Sequence, residues 1–226
     1  MGITFASLSR AVHIALQPSA MNTASGTNVQ LGHVHQVLSA ALGYNTHAAL
    51  KASIEAGEES PSYDGAKHII LDVPRLTQRV QDLGYPGLAA AFESAVRDGI
   101  ESLLPEVKFH ENASDLGFDI QDEVVDAIEN SGGYSSEVAM TNAYGGDFDI
   151  EFSAPVPIEF PQPQWTLSVD GTSSLEQDLD KVHHGDVINV TAKVVFPKIG
   201  RRVLGEMTIE QAGGSIAMDE PDEMDV

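Results

Sequence analysis

The sequence predicts an α+β protein: a helical N-terminal region followed by a mainly antiparallel β region. Up to about Glu129, apolar residues recur at three- and four-residue steps, the period of an amphipathic helix. Beyond about Asp147 they alternate with polar residues, the period of a strand with one buried face. Between the two lie Gly132, Gly133, Gly145 and Gly146, which read as a flexible connection. The expected organisation is therefore a helical region over 1–130, with a sub-boundary at 57–65, and a glycine-rich link over 131–146. An antiparallel β region over 147–215 and an acidic, disordered tail over 216–226 complete it.

The first helix runs from about Thr4 to Leu16, with Phe5, Leu8, Val12 and Leu16 inward, and stops before Pro18. Ser7, Ser9 and His13 interrupt its apolar side and Arg10 is its one early positive charge, which argues against an export signal. Ser19 to Thr27 is a polar loop. Leu31 to Ala52 reads as two helices joined at Gly43. Val34, Val37, Leu38, Ala41 and Leu42 line the first; Ala49, Leu50 and Ile54 line the second. Gly43 supplies the left-handed conformation that ends a helix, and Asn45 or Thr46 caps the next. Gly57 to Gly65 is a loop.

His68 to Val73 is a short apolar run, either a strand or a buried entry to the next helix. Pro74 fits the first turn of that helix, and Leu76, Val80 and Leu83 continue it to Gly84. A long helix then extends from Pro86 to about Leu104, with Gly99 weakening its last turns. Ser114 to Glu129 is the last helix. Its inner side is Leu116, Ile120, Val124, Ala127 and Ile128; Asp115, Asp119, Asp122, Glu123 and Asp126 form the opposite side.

In the β region, Phe148, Ile150 and Phe152 alternate with Asp147, Asp149 and Glu151. Four prolines make Ala154 to Gln164 an edge or an extended crossing. Trp165, Leu167 and Val169 lead to a turn at Asp170-Gly171, and a polar link follows from Leu175 to His184. Ile188 to Phe196 and Val203 to Glu210 pair as an antiparallel hairpin around PKIGRR.

The stretch HVHQVLSAALGYNTHAALKA also resembles a small helical module of uncharacterised proteobacterial and mobile-element proteins, loosely grouped with glyoxalase-related domains. Leu42, Gly43, Tyr44, Ala49 and Leu50 carry the likeness, over about a tenth of the chain. It implies a packed helix pair and a phage- or plasmid-encoded protein. It implies no catalytic residue and no glyoxalase activity, because the His/Glu metal-ligand pattern of those enzymes is missing.

With 42% hydrophobic and 20% charged residues over 226 positions, the chain has the makings of a sizeable core. No apolar run is long enough to span a bilayer. The lack of cysteine excludes disulfides, thiolate metal sites and cysteine nucleophiles, and fits a cytoplasmic protein. A net charge of -22 argues against direct nucleic-acid binding. From Phe109 to Asp180 there is no Lys or Arg, against 16 acids.

That acidic block yields a candidate protein-interaction surface: Asp115, Asp119, Asp122, Glu123, Asp126, Asp147, Asp149 and Glu151. Lys193, Lys198, Arg201 and Arg202 form a candidate basic docking hairpin for the acidic tail, an acidic partner or a second copy. The helix pair at Gly43 has a helix-turn-helix outline, but its second helix offers only Asn45, His47 and Lys51, so a plain helical hairpin is expected. His33 and His35 diverge on a helix, as do His183 and His184 on a strand, so no metal site is predicted. No phosphate loop, dinucleotide fingerprint or nucleophile elbow is present, and neither catalytic residues nor a cofactor are predicted.

The expected function is a non-enzymatic protein-binding or regulatory protein, with a partner that presents a basic surface. An acidic nucleic-acid mimic that inhibits a defence or restriction enzyme is the alternative. A small-molecule enzyme or binder with a site between the two regions is the third reading. No membrane association is expected, and homo-oligomers are compatible with the sequence.

Overall fold

Helices crowd the first part of the chain and long strands the last. The computed structural model describes residues 2–21, 28–141, 143–177 and 187–216. In chain order the elements are α1 (Phe5–Met21), α2 (Leu31–Ala41), α3 (His47–Glu55), β1 (His68–Ile70), α4 (Val73–Asp82), α5 (Ala89–Glu101), β2 (Lys108–His110), α6 (Ala113–Glu129) and α7 (Gly132–Thr141), then the strands β3 (Ala143–Ser153), β4 (Gln164–Gln177), β5 (Val187–Gly200), β6 (Val203–Leu204) and β7 (Thr208–Ile216). This is an α+β architecture with a mixed, mostly antiparallel sheet. No helix among the described residues is long and apolar enough to cross a membrane.

Two compact units emerge, and they are not successive halves of the chain. The first comprises 1–116, 156–165 and 196–207; the second comprises 117–155, 166–195 and 208–226.

In the first unit, Leu8, Val12 and Leu16 of α1, Val34, Val37 and Leu38 of α2, Leu76 and Val80 of α4, and Phe92, Val96 and Ile100 of α5 build one apolar core. Gly99 does more than weaken α5. A β-carbon there would lie 2.5 Å from the Val12 backbone nitrogen, so the glycine sets how closely α1 and α5 cross. The α2–α3 turn is a Schellman motif as expected: Gly43 has φ +89°, its N–H donates to Ala40 O at 2.9 Å, and Tyr44 N–H donates to Ser39 O at 2.9 Å. Thr46 caps α3 by accepting from Ala49 N–H at 3.0 Å. Asp72 caps α4 in the same way, accepting from Arg75 N–H at 3.0 Å. His68 to Ile70 is the strand alternative of the sequence reading. It pairs parallel with β2 and antiparallel with β6, which in turn pairs with the end of β5.

In the second unit, β3, β4, β5 and β7 form an antiparallel sheet in the order β3-β4-β5-β7. Phe152 stands opposite Val169, and Phe148 opposite Ser173, on one face. Phe152 packs so closely on Gly117 of α6 that a β-carbon there would fall 2.7 Å from its ring. Tyr134 of α7 packs against Phe148, the rings tilted by 39° with centroids 5.5 Å apart. Both helices therefore cover the Phe face, and Asp147, Asp149 and Glu151 point out of the other.

Several sequence expectations are corrected. α1 runs through Pro18 to Met21; Pro18 is exposed, so solvent can replace the bond it removes. The end of the expected loop, 22–27, lies outside the described residues, as do most of the polar link after Gln177 and the acidic tail. Ser114 to Glu129 is not the last helix, because Gly132 and Gly133 open α7. Ser131 Oγ accepts from Tyr134 N–H at 3.2 Å and so caps that helix. Asp170-Gly171 is no turn but the middle of β4, with Gly171 opposite Ile150. A β-carbon at Gly171 would lie 2.2 Å from Asp149 O, so the residue serves close strand approach. The expected hairpin of β5 does form, with Lys198 opposite Leu204 and Val194 opposite Ile209.

Candidate functional site

The acid-rich face predicted for α6 is present and carries an aromatic ring. Leu116, Ile120, Val124 and Ile128 are buried, while Asp115, Asp119, Asp122, Glu123 and Asp126 are exposed. Phe118 stands among those acids at 78% exposure, the most exposed large apolar side chain among the described residues. Helical spacing puts Asp115 one turn before it and Asp122 one turn after it. Sequence reading missed Phe118 because it breaks neither period. The signal was its place in the row Asp115, Phe118, Asp122, off the apolar stripe. Asp115 also holds the start of the helix: its carboxylate accepts from Glu111 N–H at 3.0 Å, and its own N–H donates to Asn112 Oδ1 at 3.0 Å.

The remaining predicted acids do not join this face. Asp147, Asp149 and Glu151 are exposed on the side of the sheet away from α6, opposite Ser174, Thr172 and Asp170. Glu151 thus faces another acid across the ladder, a repulsive pairing.

The four predicted hairpin bases are mostly engaged within their own unit. Arg202 bridges Glu159 and Asp72, the latter at 3.5 Å. Arg201 lies over the Tyr44 ring at 4.7 Å and donates to Gly43 O at 3.3 Å. Lys198 Nζ donates to the carbonyls of Ile158 and Phe160. These bases tie the proline-rich crossing and the α2–α3 turn to the hairpin. Lys193, in the second unit, pairs with Glu210 at 2.6 Å; both side chains are nearly half exposed, so the pair contributes little.

Beside Lys198 and Arg201, Glu59 has a buried Oε2 with no hydrogen-bond partner among the described residues. Burial pushes its carboxyl up to about 7, against the pull of Arg201 and Lys198. The adjoining cavity is about 10 Å³, room for roughly one water. It is too small for a substrate.

The second helix of the Gly43 pair does not present a reading face. Asn45 accepts from Arg75 and Arg79, and His47 stacks on Phe5 at 5.1 Å. His35 and His47 line a groove of about 300 Å³ with Phe5, Leu50 and Ile54. Burial lowers the pKa of both imidazoles, and Lys51 lowers them further.

Two histidines that the sequence reading did not connect do converge. His68 Nδ1 and His110 Nε2 are 3.0 Å apart, on neighbouring strands. A pair at that separation can share one proton or one metal ion. No sequence signal links them, 42 positions apart.

No family model, curated protein or solved structure matches this chain.

Proposed function

We propose that this chain is a non-enzymatic protein-binding protein whose interface is the outer face of α6. Phe118 carries the reading. A phenyl ring held in water forgoes about 1.5–3 kcal/mol of burial, and neither the helix nor the core needs it where it stands. An aromatic anchor inside a charged rim is the usual make-up of an interface centre. The matching partner surface is an apolar pocket rimmed by Lys and Arg. The net charge of -22 would steer such a partner and make association fall with salt. The likeness of the LGY stretch to mobile-element modules supports a phage- or plasmid-encoded source.

The runner-up is an acidic mimic of nucleic acid, supported by the base-free run from Phe109 to Asp180. A mimic gains from carboxylates arrayed on one surface, and here α6 and β3 present theirs on opposite sides of one sheet. That favours the anchored interface.

The test is capture of partners from the cells that encode the chain, followed by affinity measurement on the purified partner. Phe118→Ser and the triple variant Asp122→Asn, Glu123→Gln, Asp126→Asn are compared with wild type; Asp115 is kept because it caps α6. The interface reading expects Phe118→Ser to lose about 2 kcal/mol or more of affinity, and the triple variant to flatten the salt dependence. Binding that survives Phe118→Ser but collapses in the triple variant supports the mimic. Unchanged binding in both variants overturns the two readings together.

A further inference from the structure

His68 opens β1 and His110 closes β2. The parallel register places Ile70 beside His110 and His68 beside Lys108, so the two histidines are offset along neighbouring strands. Their side chains nevertheless meet. Each is more than nine-tenths buried, at 8% and 3% exposure. The rings tilt by 32° with centroids 5.2 Å apart, and Phe196 stands edge-on to His68 at 5.6 Å. On its other side, His110 turns Nδ1 toward the Asp115 carboxylate, 4.0 Å away.

Two nitrogens bound to one tetrahedral zinc at 2.0–2.1 Å stand about 3.3 Å apart. The observed 3.0 Å needs to open by only a few tenths of an ångström to reach that geometry. We propose that His68 Nδ1 and His110 Nε2 are ligands of a divalent transition-metal ion. Imidazole nitrogen suits zinc, copper or nickel far better than calcium or magnesium, and zinc accepts the tetrahedral angle without strain. No thiolate can complete the coordination, since the chain has no cysteine. Asp115 acts as a positioning residue. Closing its 4.0 Å gap would let Nδ1–H of His110 donate to the carboxylate, which fixes the tautomer that leaves Nε2 for the metal. The competing account is a single proton shared between the two rings.

The test uses chelator-treated full chain carrying His183→Ala and His184→Ala, so that this adjacent pair cannot bind metal. Zinc is titrated by calorimetry and cobalt by visible absorption. The proposal expects one ion per chain, the strong visible band of four-coordinate cobalt and a raised melting temperature. His68→Ala and His110→Ala should each weaken zinc by roughly a hundredfold or more, and Asp115→Asn by about tenfold or more. Since removal of a buried histidine can unfold the unit, nitrogen NMR of the unsubstituted rings gives a second readout. Zinc should shift Nδ1 of His68 and Nε2 of His110 together and abolish any proton between them. Failure to bind either metal, or zinc binding with those two nitrogens unmoved, overturns the site.

Discussion

The Tyr134 hydroxyl and the Ser173 hydroxyl meet at 2.8 Å beneath α7, and both side chains are buried. A β-carbon at Gly146 would fall 2.3 Å from Ser173 Oγ and 2.9 Å from the Tyr134 hydroxyl. A β-carbon at Gly214 would fall 3.1 Å from the Tyr134 ring. These glycines make room for the bond. Tyr134→Phe leaves the Ser173 hydroxyl buried without this partner, and should destabilise by about 1–3 kcal/mol. Urea denaturation of variant and wild type measures it, and equal midpoints would show that the pair holds nothing.

The α1–α5 crossing gives a sharper test. Gly99→Ala would improve helix propensity by about 1 kcal/mol in an exposed helix. Here its methyl would meet the Val12 backbone at 2.5 Å, and backbone cannot swing aside. A net loss of about 1–3 kcal/mol is expected from overpacking. A variant more stable than wild type in thermal melts would show that the helices do not cross this closely.

Gly43→Val strains a left-handed residue and crowds Arg202, whose Cδ would lie 3.0 Å from the new β-carbon. The expected loss is about 1–2 kcal/mol or more. An unchanged melting temperature would contradict the Schellman turn.

Glu59 makes stability depend on pH. Its carboxyl is raised from an ordinary 4.5 to about 7, chiefly by burial. Between those values the folded chain keeps a proton that the unfolded chain has released. Stability from this group is complete below the window and is lost as pH rises through it. Glu59→Gln stays neutral throughout, so its stability relative to wild type should climb as pH rises from 4.5 to 7 and level off above. Denaturant midpoints of the two proteins over that range decide it; curves that run parallel would place Glu59 in solvent.

Elements whose side chains face one core were legible from period alone. The stripe of α2 and the alternation of β5 reappear residue for residue in the buried set, α6 does so except for half-buried Ala127, and Phe148, Ile150 and Phe152 of β3 are half-buried against exposed Asp147, Asp149 and Glu151. Gly43 was legible because a helix end asks for one local conformation. Glycines at 99, 117, 146, 171 and 214 were not, because their purpose is set by atoms far away in sequence. Gly146 read as flexibility, Gly171 as a turn and Gly99 as a weak point of its helix, yet a β-carbon at any of the three would collide with a neighbour. The internal partners of the charged hairpin were hidden for the same reason: Tyr44, Asp72 and Glu159 meet Arg201 and Arg202 only in the fold. The His68–His110 pair lay beyond reach because it joins residues 42 positions apart.

The α6 interface is tested most directly by amide hydrogen exchange of the full chain with and without its captured partner. Bound chain should show slowed exchange concentrated along α6, around Phe118 and the turns that carry Asp115 and Asp122, with the β5–β6 turn unchanged. Protection confined to the β5–β6 turn or to β3, with α6 exchanging as in the free chain, would contradict the interface proposed for Phe118.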